Sequence, residues 1–199
     1  MRISMTLLVV VAAAWALSAR GPANAQDPPR AELQINFEPS GEQVVPAAKE
    51  YTEIWASEGA RIVTAMERAT GLRFERGPIR ANILEAPSYS GYGERPMQLR
   101  ASYPAATKRA TLVHELGHRL MGDLVPPSIE HHSVIFLFVY DVWVELWGQQ
   151  FADEQVAVER RRTGTDYDGL WRTALALSRE ERAARFEEQI AKFKAQSSR

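Results

Sequence analysis

Apolar residues along this chain change period several times, and the changes mark its elements. Leu33, Ile35 and Phe37 alternate with polar neighbours, the period-two pattern of a half-buried strand at a sheet edge. From Ala47 to Thr70 the positions Tyr51, Ile54, Trp55, Ile62, Val63 and Met66 recur at helical spacing, and Gly71 is placed to stop that helix. Alternation returns at Ile79, Ala81 and Ile83. A turn-rich string from Pro87 to Gly93 follows, and Met97, Leu99, Ala101 and Tyr103 alternate again, so these two runs predict a pair of strands.

Pro104 suits the first turn of the next helix and Gly122 its end. Gly117 inside that helix costs about 1 kcal/mol against alanine, which predicts a compensating close approach of a strand. After a loop at Asp123 to Ser128, a second long helix is expected from about Ile129 to Gln149. The alternative for its run Val134 to Val139 is a membrane span, but Asp141 and Glu145 interrupt it and two histidines lead it, so a buried core helix is preferred. Phe151 to Thr163 continues as helix, Gly164 to Gly169 as turn, and a helix pair closes the chain. Ser178 and Glu181 form a capping-box pattern opening the last helix, whose apolar positions include Phe186, Ile190 and Phe193. The expected class is α+β: a short antiparallel or mixed sheet packed on one helix, with a helical C-terminal half.

The first residues change the picture. Arg2, the apolar stretch Met5 to Leu17 and the small-x-small string Ala23-Asn24-Ala25 read as a signal peptide over residues 1–25, leaving a single domain over 26–199. The alternative for that segment is an uncleaved anchor. An exported protein, periplasmic or extracellular, is therefore expected, with no membrane span retained after cleavage. The chain has no cysteine, which removes disulfides, thiolate metal sites and lipid attachment at a cysteine. A net charge of −1, without a basic block, argues against nucleic acid as partner.

All four histidines fall at positions 114, 118, 131 and 132, and the first two stand in the string His114-Glu115-Leu116-Gly117-His118. Residues four apart share one helix face, so both imidazoles can reach one tetrahedral metal while Glu115 projects beside them as general base. A catalytic zinc site needs a third protein ligand and an open position for water. The loop after His118 brings the second helix back antiparallel, which places His131 and His132 level with it. His132 is the leading third ligand. His131, Glu145 and Asp141 are alternatives, with Glu130 behind them. Asp141 and Glu145 are alternatively acceptors that steady a ligand imidazole. Tyr103, Tyr140 and Tyr92 are candidates to stabilise an oxyanion.

The HExxH string, preceded by two strands and followed by a helix bearing candidate ligands, resembles the zincin metallopeptidases. The resemblance covers roughly residues 78–148 and is specific at the HExxH alone. It implies a zincin-like fold, a Zn2+ cofactor, peptide or protein substrates, and a strand bordering the cleft that pairs with extended peptide. Met97 to Tyr103 corresponds to that strand. The metzincin extension would require glycine and histidine where Met121 and Leu124 stand, and the thermolysin-like asparagine-glutamate signature is also missing, so the subgroup is open. The string from Phe136 to Trp143 is similar to that of small bacterial HExxH proteins. The expected function is a secreted zinc metallopeptidase. The alternative is a catalytically inactive zincin-like protein that binds zinc or a partner. Peptide deformylase chemistry, which needs a cysteine ligand, is excluded.

Overall fold

A computed structural model describes residues 33–197 apart from residue 76; the signal-peptide reading lies outside the described residues. Among the described residues the strands and α-helices follow in the order β1 (Ile35–Pro39), α1 (Val45–Thr70), β2 (Ile79–Leu84), β3 (Met97–Arg100), α2 (Ala105–Met121), α3 (His132–Trp147), α4 (Gln149–Glu159), α5 (Tyr167–Leu175) and α6 (Arg179–Ser197). The class is α+β. Among the described residues no helix is long and apolar enough to cross a membrane.

The three strands lie in the order β1-β2-β3, and both pairings are parallel. This corrects the expectation of an antiparallel or mixed sheet. Strand direction follows from the connections: α1 carries the chain back between β1 and β2, and the long loop from Glu85 to Pro96 does so between β2 and β3. The only antiparallel element among the described residues is a single bridge between Tyr89 and Gln98. Register sets Ile35 beside Ile79, Phe37 beside Ala81, Ala81 beside Met97 and Ile83 beside Leu99. These residues share one face, which packs on α1 and α2, and Phe37 stacks on Tyr51 of α1 at 5.7 Å between ring centroids.

α3 is the central strut. Val134 to Val139, Val142, Trp143 and Leu146 are buried, as expected for a helix apolar on every side, and α1, α2, α4, α5 and α6 all touch it. Glu58 of α1 ties three helices together, accepting from Arg109 Nε of α2 and from Trp147 Nε1 of α3, both at 2.6 Å. Gly117 of α2 faces this strut rather than a strand. A Cβ there would meet Phe138 at 3.3 Å and Val139 at 3.5 Å, so the close approach is helix on helix. α6 opens with its capping box formed: the Glu181 carboxylate accepts from Ser178 N–H, and the Ser178 hydroxyl accepts from Glu181 N–H.

The β2–β3 loop is fixed by Arg119, whose guanidinium donates to the carbonyls of Ser90, Gly93 and Arg95. Gly91 makes that loop feasible. Its φ is 60°, and a Cβ would sit 2.5 Å from the carbonyl oxygens of Arg95 and Pro96. Gly93 has a similar φ of 55° but open space around it. Gly91→Ala is therefore expected to destabilise by about 2 kcal/mol or more, and Gly93→Ala by about 1 kcal/mol. Urea midpoints of the two variants check this; equal shifts would contradict it.

Candidate metal centre

α2 presents His114 and His118 one turn apart, and the first turn of α3 presents His132 opposite them. One nitrogen from each of these three rings lies within 4.8 Å of the other two. Ring centroids are 5.2 Å apart for His114 and His118, 5.2 Å for His114 and His132, and 4.9 Å for His118 and His132. Phe136, one turn beyond His132, forms the apolar floor beneath His114 and His132 and stacks on Trp171 of α5 at 3.8 Å.

Two of the rings are held from behind by carboxylates. His114 Nδ1 stands 2.8 Å from Glu159 Oε1, at the end of α4, and both side chains are buried. Glu159 also accepts from Trp171 Nε1 at 3.1 Å. Burial alone would raise the Glu159 carboxyl, but His114, Arg162 and Trp171 together hold it below the ordinary carboxylate range. His132 Nδ1 lies 2.6 Å from Glu130 Oε1, and Thr165 donates to the other oxygen of Glu130 at 3.1 Å. These contacts set a carboxylate oxygen beside Nδ1 of each ring. His118 is buried, and its ring lies against those of His114, His132 and His131.

Burial and the neighbouring imidazoles lower the pKa of His118 and of His132, and burial lowers that of His131. Neutral imidazole is the form that ligates a metal. Three convergent imidazoles, two of them with the pKa lowered by burial, fit the divalent ion that the HExxH resemblance implies. Glu115, between His114 and His118 on α2, is buried, and that burial pushes its carboxyl up to about 7 against the opposing pull of His114 and Arg162.

The remaining sequence candidates lie elsewhere. His131 stacks beside His118 at 5.7 Å but sits outside the cluster, with Nδ1 3.3 Å from the Tyr92 hydroxyl. Asp141 receives two hydrogen bonds from Arg182 of α6, at 2.7 and 2.9 Å, and Glu145 pairs with Arg68 of α1. The carboxylates beside the clustered rings are those of Glu159 and Glu130 instead. Tyr140 donates to Asp153. Tyr103 packs its ring against Arg100 and Arg162. The phenol beside the cluster is Tyr167, whose hydroxyl lies 3.2 Å from His132 Nε2 and whose pKa is raised by burial. Neither Glu159 nor Tyr167 carries a sequence signal, since each belongs to a later helix whose docking is a matter of tertiary packing.

The outward edge of β3 is already engaged. Gln98 exchanges both backbone hydrogen bonds with Tyr89, Arg100 N–H donates to the Ser88 hydroxyl, and the Arg100 carbonyl accepts from Tyr51. A peptide could pair with this strand only by displacing the loop at Ser88 and Tyr89. No family model, curated protein or solved structure matches this chain.

His132→Ala is expected to abolish stoichiometric zinc binding, whereas His131→Ala leaves it intact. Glu159→Gln should weaken zinc affinity about 10- to 100-fold by freeing the His114 ring. Metal content after dialysis and competition with a chromophoric chelator check all three. Retention of zinc by His132→Ala would contradict the assignment.

Proposed function

We propose that this chain is a zinc-dependent hydrolase of the zincin type, acting on peptide bonds. The observation that carries the reading is the convergence of His114, His118 and His132 around one point, with the buried Glu115 between the two ligands on the same helix. Its amino-acid pattern supports export, and its lack of cysteine leaves imidazole and carboxylate as the strong metal donors.

A divalent ion in the cluster supplies Lewis acidity toward a carbonyl oxygen and toward water. The protein's own groups do the rest. Glu115 receives the proton of the attacking water on its carboxylate and returns it to the leaving amine. Tyr167, kept protonated by burial, offers its hydroxyl to an oxygen gaining negative charge. Glu159 and Glu130 steady the His114 and His132 rings from beside Nδ1. Phe136 and Trp171 keep the floor of the site dry.

A second reading is a metal-holding scaffold without turnover. It is favoured by the occupied edge of β3, which denies substrate the strand pairing expected of zincins. Glu115→Gln separates the two. On a broad peptide library the wild-type protein is expected to cleave, and the variant to lose at least about 100-fold in kcat while keeping its zinc. Equal activity of the two proteins, or none in either, would remove the peptidase reading.

A further inference from the structure

The half-buried guanidinium of Arg162 touches none of the three imidazoles, yet it lies against the face of α2 that carries Glu115. Its Nη2 donates to Thr111 Oγ1 at 3.3 Å, and Thr111 stands one helical turn before Glu115 on the same face. Its Nη1 lies 3.6 Å from Glu159 Oε1, too long for a hydrogen bond, and its Cζ sits 5.9 Å from the centre of the Tyr103 ring. Tyr167, whose hydroxyl touches His132, borders it on the other side. About one fifth of the side chain is open to solvent.

A guanidinium has five N–H donors in a planar fork. Here Nη2 donates to Thr111, Tyr167 also hydrogen-bonds the side chain, and Nη1 faces Glu159 at ion-pair distance, which leaves donors to spare. A partly exposed arginine with donors to spare, beside the cluster, suits bidentate recognition of a carboxylate.

Resting on the hydrolase reading, we propose that Arg162 is a specificity determinant that binds a carboxylate of the substrate, so that the protein acts on peptides presenting that group next to the scissile bond. The group is either a free C-terminus or an acidic side chain, and Arg162 receives it through the fork of Nη1 and Nη2. Tyr103 holds the plane of the guanidinium from one side.

Binding to the zinc-loaded Glu115→Gln variant, which does not depend on turnover, tests this by calorimetry. The probes are N-acetylated tetra-alanine as free acid, the same peptide as C-terminal amide, and an amidated peptide with one internal glutamate. The free acid or the glutamate peptide is expected to bind at least about tenfold more tightly than the plain amide, and whichever does identifies the source of the carboxylate. Adding Arg162→Gln to the same background should bring the ratio to about one with zinc occupancy unchanged, and Arg162→Lys should keep part of the preference. Should Arg162→Gln lose zinc, the Arg162→Lys ratio alone decides, and a full preference or none in that variant counts against the proposal. Equal binding of all three peptides, binding of none, or a preference that survives Arg162→Gln at full zinc occupancy would overturn it. A peptide-binding protein with no turnover would instead defeat the hydrolase reading and leave this one standing.

Discussion

Bringing three imidazoles within one ligand sphere in the interior of a protein is costly unless something answers their lone pairs, and much of this fold is arranged around that constraint. His114 and His118 need only a helix, since four-residue spacing stacks them. His132 needs a second helix returning at the right height. α3 can return so close because Gly117 has no side chain, which lets Phe138 and Val139 lie against α2. The apolar sheath of α3 then fixes its position from every side. The ligand geometry is thus set by core packing rather than by loops, which favours a precise, pre-formed site.

Behind the imidazoles, polar groups are ordered by what they can support. Glu159 meets His114, Trp171 and Arg162 together, so the end of α4, the middle of α5 and α2 are joined through one carboxylate. Glu130 does the same for His132 and the loop carrying Thr165. The helical C-terminal half is therefore part of the site. It supplies the groups that orient the ligands, the phenol beside them and the arginine along their flank.

Much of this was legible in the sequence. Helical periodicity located α1 and α2 to within a residue or two, and the Ser178–Glu181 pattern located the start of α6, because those signals are local. The HExxH string named its own residues, and the level of the returning helix pointed to His131 and His132. Alternation along the strands showed which face is buried but carried no information about direction, since a one-sided parallel sheet produces the same pattern. That is why the sheet was expected to be antiparallel or mixed. Asp141 and Glu145 stood out as acids in an apolar helix, but their partners, Arg182 and Arg68, come from distant helices. Glu159, Arg162 and Tyr167 sit in a segment of ordinary polar composition, and only the docking of α4 and α5 brings them to the cluster.

The central claim is that these three rings hold one divalent ion. X-ray absorption at the zinc edge of the loaded protein measures this directly. The account predicts one zinc per chain with three imidazole nitrogens at about 2.0–2.1 Å and one further oxygen ligand. Substoichiometric zinc, or a shell of oxygen ligands without imidazole scattering, would contradict it.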